Sequence, residues 1–256
     1  MSTPTVAGAG AQRTSTAAVQ TAVPVLLAIS LVHFLNDTMQ SVVPALYPIL
    51  TETLSLTYAQ IGWISFTFNM TGSVMQPVVG LYADRRPSPY ILQFGTAMSL
   101  LGLVGIALAP SFWTVLLSVV FIGLGSAVFH PEGSRVVYFA AGGRRGFAQS
   151  VYQVGGNAGQ SLAPILTLLI FLPLGQIGAL WGSAFAAAAF AVLLALVPWY
   201  KARLNEYDKR IRGRKPQRGA NADASPSGLA GHPRARLAMG LLMLLIFARS
   251  WYHSSI

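Results

Sequence analysis

The sequence predicts an all-α, polytopic membrane protein. Of its 256 residues, 54% are hydrophobic and only 9% are charged, whereas soluble domains carry about 25% charged residues. Apolar stretches recur along the chain, and each comes close to the roughly 20 residues that a helix needs to cross a bilayer. Seven stretches are therefore predicted to be transmembrane helices: residues 24–50, 58–82, 90–109, 112–138, 147–172, 177–198 and 237–256.

The charged residues between the predicted helices indicate the orientation. Arg85 and Arg86 follow the second helix, Arg144 and Arg145 follow the fourth, and a long basic stretch follows the sixth. The connectors that alternate with these carry Glu52 or no charge at all. Because cytoplasmic loops are rich in Lys and Arg, we expect the amino terminus in the cytoplasm and the protein in the cytoplasmic (inner) membrane.

A basic linker separates the sixth and seventh predicted helices. Ten of the 17 Lys and Arg residues lie between Lys201 and Arg236, in a stretch whose Ala, Ser, Pro and Gly residues are typical of flexible linkers. Such a loop suits the anionic lipid of a bilayer surface rather than nucleic acid. The expected organisation is a disordered cytoplasmic tail (1–23), a six-helix bundle (24–198), a basic cytoplasmic linker (199–236) and the first helix of an absent second bundle (237–256).

The first predicted helix carries a polar stripe in an apolar setting. His33, Asn36, Asp37 and Gln40 have the spacing i, i+3, i+4 and i+7, which places them on one helix face. An Asp near the middle of a bilayer costs roughly 2.5–3.5 kcal/mol, so something must offset that cost. Two interpretations stay open: an inward-facing structural cluster, or a site that handles protons or substrate.

Amide side chains recur on the second and fifth predicted helices. They either hold helices together or line an aqueous cavity for a polar solute. The candidates for the cavity are Asn69 and Gln76 on the second helix, and Gln153 and Asn157 on the fifth, where Gln149 and Gln160 belong to the same stripe. Prolines interrupt corresponding helices of the two three-helix halves (Pro44, Pro77, Pro131 and Pro164), a pattern typical of transporter repeats.

The fourth predicted helix carries ionisable residues near its cytoplasmic end. Glu132 and Arg135 are three residues apart and can form an ion pair, with Arg135 reaching towards the interface; a gate or a proton-linked site is the alternative. No metal site is predicted, because His130 has only His33 as another membrane histidine before His253. The absence of cysteine also excludes thiol ligands and disulfides.

Several motifs resemble those of the major facilitator superfamily. "GLYADRR" at 80–86 is similar to the loop signature between its second and third helices, here Gly80, Asp84 and Arg85. "GLGSA" at 123–127 and "GQSLAP" at 159–164 resemble motifs of its fourth and fifth helices. "HFLNDTMQS", "FHPEGSRV" and "GGRRGFAQSVYQVGGNAGQSLAP" together resemble the fosmidomycin-resistance proteins, which are bacterial efflux pumps of that superfamily.

The resemblance implies a twelve-helix, proton-driven exporter with a cavity between two six-helix halves. The chain would then be the first half-bundle plus the start of a seventh helix, without the carboxy-terminal half, and is expected not to transport alone. Its partners would be protons, the bilayer and a small-molecule substrate. Since fosmidomycin is a phosphonate, Arg135 is a candidate contact for the anion, while Asp84 and Arg85 are expected to tie helices together at the cytoplasmic face.

Three other functions stay open, and one of them is a non-catalytic structural or receptor protein, which a large soluble domain would favour. The chain could belong to an uptake carrier for a small organic anion, since transport direction does not follow from the sequence. An intramembrane enzyme using His33, Asp37, His130 and Glu132 is disfavoured because neither a His-Glu-x-x-His motif nor a Gly-x-Ser-x-Gly elbow occurs. We therefore expect no enzyme activity and no cofactor.

Overall fold

The described part of the chain consists of helices joined by short turns and loops, without strands. The structure is a computed structural model, and it describes residues 20–213 and the single positions 237 and 241. The chain divides into the units Met1–Tyr207 and Asp208–Ile256. The helices are α1 (Val23–Ala45), α2 (Tyr47–Thr53), α3 (Tyr58–Arg85), α4 (Ile91–Ala107), α5 (Phe112–Ala140), α6 (Arg145–Gln160), α7 (Ala163–Leu166), α8 (Leu172–Leu174) and α9 (Leu180–Gly213), with a π-helical turn at Thr167–Phe171 and a 3₁₀ turn at Gly175–Ala179.

Length and composition make this an integral membrane protein. Among the described residues, three helical stretches are long and apolar enough to cross a bilayer: Val23–Ala45, Phe112–Ala140 and Arg145–Lys209. Ile91–Ala107 is a shorter apolar helix, and the 28-residue α3 has the length to span. The predicted all-α, polytopic fold class is confirmed.

α5 lies at the centre of the packing, against α3 and α4 and also against α1 and α6. Glycines allow these helices to approach closely. A Cβ atom on Gly125 of α5 would lie 2.6 Å from the Gly95 carbonyl oxygen of α4, and one on Gly123 would lie 3.0 Å from the Phe68 carbonyl oxygen of α3. The backbones on both sides of α5 are therefore in direct contact.

α1 and α6 form the other close helix pair. Their interface contains Gly155, Gly156 and Gly159 of α6, where any added side chain would collide with α1. This arrangement brings the polar stripe of α1 against α6, so the small residues of one helix determine where the polar residues of the other lie.

Two buried apolar clusters form the core of the bundle. One cluster is built around Met39, Val42 and Leu103 and the other around Leu26, Phe129 and Leu193, and all six side chains are buried. Many large apolar side chains on the outside are exposed, as expected of helices that face lipid.

Two predicted helices are interrupted. The predicted helix 24–50 is divided at Leu46 into α1 and α2, because Pro48 has no N–H group to bond the carbonyl of Pro44. The predicted helix 147–172 is divided at Ser161 and Leu162, where Pro164 has the same effect on the carbonyl of Gln160. A proline does not end every helix, since α5 continues through Pro131.

The sixth predicted helix is longer than expected. α9 continues through Pro198 to Gly213 and includes the first residues of the predicted linker. The rest of that linker (214–236), most of the predicted tail (1–19) and nearly all of the predicted helix 237–256 lie outside the described residues.

Candidate functional site

α1 directs its polar face into the bundle. His33, Asn36 and Asp37 are only 1%, 2% and 2% exposed, and Gln40, one turn further along, is half-buried. The structure therefore brings the four predicted residues of α1 together on one inward-facing side. They lie among protein side chains rather than against lipid.

Asp37 is the centre of this polar region. Its carboxylate accepts hydrogen bonds from three side-chain amides: Asn36 Nδ2 at 3.1 Å, Gln40 Nε2 at 3.5 Å and Gln160 Nε2 at 2.9 Å. Donors of this kind stabilise a carboxylate that has lost its water. We call the group formed by Asp37, these three amides, His33 and His130 the Asp37 cluster.

Two histidines flank the carboxylate, and each directs its Nε2 atom towards it. His33 Nδ1 lies 2.8 Å from the Tyr152 carbonyl oxygen, and His130 Nδ1 lies 2.9 Å from the Ser126 carbonyl oxygen. Because a carbonyl can only accept, each Nδ1 carries a hydrogen. The other ring nitrogen, Nε2, lies 3.5 Å from Asp37 Oδ2 in His33 and 3.7 Å from Oδ1 in His130.

The surroundings hold the rings of the two histidines in place. The His33 ring stacks on Tyr152 with 4.0 Å between centroids, and Phe129 also contacts both histidine rings. Ser126 donates a hydrogen bond to Gln40 Oε1 at 2.8 Å. The His130 side chain is 32% exposed, so the Asp37 cluster is accessible on that side.

A second group of charges links three helices, and we call it the Arg135 network. Arg135 pairs with Glu132 on α5 at 2.7 Å and with Asp84 from the end of α3. Glu132 is completely buried, and its other oxygen accepts a hydrogen bond from Tyr200 of α9 at 2.8 Å. The Glu132–Arg135 pair was predicted; its connections to Asp84 and Tyr200 extend it across α3, α5 and α9.

The contacts of Arg135 bear on two further predictions. Besides its two carboxylate partners, the guanidinium donates to the Ala83 carbonyl oxygen at 3.2 Å. It is therefore already neutralised, which does not favour it as the contact for an anionic substrate. Of the loop signature, Asp84 bonds to α5, Arg85 is exposed at the end of α3, and Gly80 faces open space.

The four amides predicted to line a cavity are not part of the Asp37 cluster. Asn69 is exposed and donates to the Ser65 carbonyl oxygen of its own helix at 2.8 Å. Gln76 is half-buried, and Gln153 and Asn157 are exposed on α6. These side chains lie on accessible faces of α3 and α6.

Three important contacts were not predicted. Gln160 belongs to the polar stripe of α6, so a stricter use of the helical period could have selected it. Tyr152 is an aromatic residue next to the amide stripe of α6, and Tyr200 lies in the predicted linker. Neither tyrosine has a sequence signal that indicates its polar partner.

Comparison with known proteins agrees with this architecture. The model of the Major Facilitator Superfamily matches residues 29–254. The chain is 57% identical over 184 residues to the uncharacterized MFS-type transporter YfnC of Bacillus subtilis (strain 168), covering 72% of this chain and 45% of that protein. It is 43% identical over 251 residues to the fosmidomycin resistance protein of Escherichia coli (strain K12), covering 98% and 58%. The chain spans about half the length of these curated relatives.

A solved structure shares the fold. A bacterial homolog of the human lysosomal transporter Spinster, in an inward-facing and unoccupied conformation, superimposes with a TM-score of 0.58 at 22% identity, over 68% of this chain and 42% of that chain. At this identity the likeness concerns the fold alone. Since the family model extends over most of the sequence, the chain belongs to the Major Facilitator Superfamily.

Proposed function

We propose that the full-length protein containing this chain is a proton-coupled secondary transporter that exports a small polar drug of the fosmidomycin type. The proposal is supported by the 43% identity to the fosmidomycin resistance protein, which extends over 98% of this chain. The family consists of transporters, so we assign the protein no catalytic role. The positions of Arg85, Arg86, Arg144 and Arg145 support an inner-membrane protein with a cytoplasmic amino terminus.

The observation that carries the proposal is the Asp37 cluster. A carboxylate and two imidazoles lie together inside an apolar bundle, and amides from two helices hold the carboxylate. A purely structural contact between α1 and α6 needs no charge, because their glycines already allow close packing. The costly group is retained, we infer, because the transport cycle uses it to hold the coupling proton.

The remaining candidates fall into two groups with different roles. Polar residues on accessible faces of α3 and α6 are proposed to contact the solute: Asn69, Gln76, Gln153 and Asn157. The Arg135 network, with Gly80 and Arg85 of the loop signature, is proposed to hold the cytoplasmic ends of α3 and α5 together. In this assignment Arg135 pairs with Asp84 and Glu132 to hold the cytoplasmic gate and does not bind the substrate.

The test is drug tolerance of bacteria that express the full-length gene. We expect higher tolerance to fosmidomycin, abolished by a protonophore. Asp37→Asn should reduce tolerance to that of cells with an empty vector, whereas Glu52→Gln, the same change at an exposed carboxylate of α2, should not. Immunoblots of membranes confirm equal expression. Full tolerance in the Asp37→Asn strain, or in the presence of the protonophore, would overturn the proposal.

A further inference from the structure

Three metal-ligand atoms converge inside the bundle. One ligand atom from each of His33, His130 and Asp37 lies within 4.8 Å of the other two. The distances from Nε2 to the carboxylate are 3.5 Å for His33 and 3.7 Å for His130. In a tetrahedral zinc site, with metal–ligand distances of about 2.0–2.2 Å, the ligand atoms are about 3.3–3.5 Å apart. The two nitrogen–oxygen distances, each to a different oxygen of Asp37, are close to this spacing, and the three residues must draw slightly closer together to bind one ion.

The orientation of both imidazoles agrees with metal binding. Each donates Nδ1–H to a backbone carbonyl, of Tyr152 for His33 and of Ser126 for His130. This contact places a hydrogen on Nδ1 and directs Nε2 towards the carboxylate, so the neutral ring offers its Nε2 lone pair to an ion, which is how metal-binding histidines are held. His33 Nε2 is buried and makes no hydrogen bond of regular geometry; it faces Asp37 Oδ2 at 3.5 Å.

We propose that His33, Asp37 and His130 bind a divalent transition-metal ion such as Zn²⁺, which competes with the coupling proton that Asp37 is proposed to hold, because only the deprotonated cluster binds a metal. Two imidazole nitrogens and one carboxylate oxygen suit zinc and its neighbours, whereas Mg²⁺ and Ca²⁺ prefer oxygen ligands throughout. Water completes the coordination, and the Gln160 amide, 2.9 Å from Asp37 Oδ2, holds the carboxylate. No metal site was predicted because the predicted helices hold only two histidines before His253; the third ligand is the Asp37 carboxylate, which the fold places near both of them.

An ion can reach this site and is not repelled there. The His130 side chain is 32% exposed, which leaves a way in beside it. With neutral imidazoles the three ligands carry one negative charge, so a divalent cation offsets the burial of Asp37. Gly156 packs directly against His33 and Asp37. A Cβ atom at this position would lie 2.5 Å from His33 Nε2 and 2.9 Å from Asp37 Oδ2.

The experiment is a Co²⁺ titration of the purified full-length protein in detergent. The protein carries an affinity tag without histidine, since a polyhistidine tag would bind the probe. We expect visible d–d absorption bands of Co²⁺ bound by nitrogen and oxygen ligands, and their loss when Zn²⁺ is added. His130→Asn and Asp37→Asn should each weaken Co²⁺ binding by more than the roughly 10–100-fold that changes outside the ligand set cause.

The matched control uses the two other histidines of the chain. A His232→Asn/His253→Asn double variant should bind Co²⁺ as tightly as the unmodified protein. Gel filtration establishes that each variant is folded, and should Asp37→Asn aggregate, the more exposed His130→Asn decides. Absence of bands in the unmodified protein, or unchanged binding after His130→Asn, overturns the proposal. Neither drug nor proton gradient is present, so this result is independent of the transport test.

Discussion

Gly159→Ala is expected to loosen the α1–α6 interface that holds the Asp37 cluster together. A Cβ at this position would lie 3.0 Å from both the Phe34 carbonyl carbon and the Thr38 backbone nitrogen, and would overlap the Phe34 carbonyl oxygen. Carbon contacts are optimal at about 3.5–4.0 Å, so α1 and α6 must separate. These neighbours are backbone atoms and cannot rotate away as a side chain could.

The destabilisation by Gly159→Ala is measured relative to the same substitution at a second glycine. Gly62 of α3 has no atom within 4 Å of an added Cβ, so Gly62→Ala gives the same gain in helix propensity without the collision. The difference between the two variants then reports overpacking alone, about 1–3 kcal/mol. For a chain of this size, at about 2–4 °C per kcal/mol, Gly159→Ala should melt roughly 2–12 °C below Gly62→Ala.

The assay is thermal unfolding of both variants in the same detergent, followed by the loss of helical circular dichroism. The unmodified protein should melt between the two or close to Gly62→Ala. If Gly159→Ala melts at the same temperature as Gly62→Ala, or higher, α1 and α6 do not pack through this glycine. Close packing at Gly159 would then no longer explain why Gln160 lies next to Asp37.

Three further predictions concern the charged groups. Tyr200→Phe removes the hydroxyl that bonds buried Glu132 and should cost about 1.5–3 kcal/mol, measured by the same melting assay; an unchanged melting temperature would contradict it. Asp84→Asn removes the charge of a carboxylate that is 70% exposed and breaks its ion pair with Arg135. Because the carboxylate is exposed, the free energy of unfolding should fall by at most about 1 kcal/mol. A larger fall would show that this ion pair stabilises the protein more than a surface pair does. In the naturally cysteine-free chain, a single cysteine at His130 should react with a water-soluble maleimide far faster than one at Glu132, and equal rates would refute the burial of Glu132.

The contacts within one helix could be predicted from the sequence. His33, Asn36, Asp37 and Gln40 share a face because of the helical period, and Glu132 and Arg135 are near each other because they are three residues apart. In such cases the geometry of one helix is enough, and the structure agrees with it.

The contacts between helices could not be predicted in the same way. The Gln160–Asp37 hydrogen bond depends on how closely α6 approaches α1, and therefore on glycines whose partners the sequence does not identify. The Tyr200–Glu132 bond required α9 to continue beyond its apolar part. The convergence of His130 with His33 likewise depends on the rotation of α5 about its own axis, which is decided by packing on all sides.

The Arg135 network also limits how this half of the protein can deform. Sliding α9 along α5 would remove the Tyr200 hydrogen bond from buried Glu132, and sliding α3 along α5 would separate Asp84 from Arg135. Together these contacts contribute about 1.5–4 kcal/mol. The three helices are thus expected to tilt as one rigid body. Flexing is easier between Ser161 and Ala179, where proline and the π-helical turn disturb the regular hydrogen bonds, so shape changes during a rocking cycle should concentrate there.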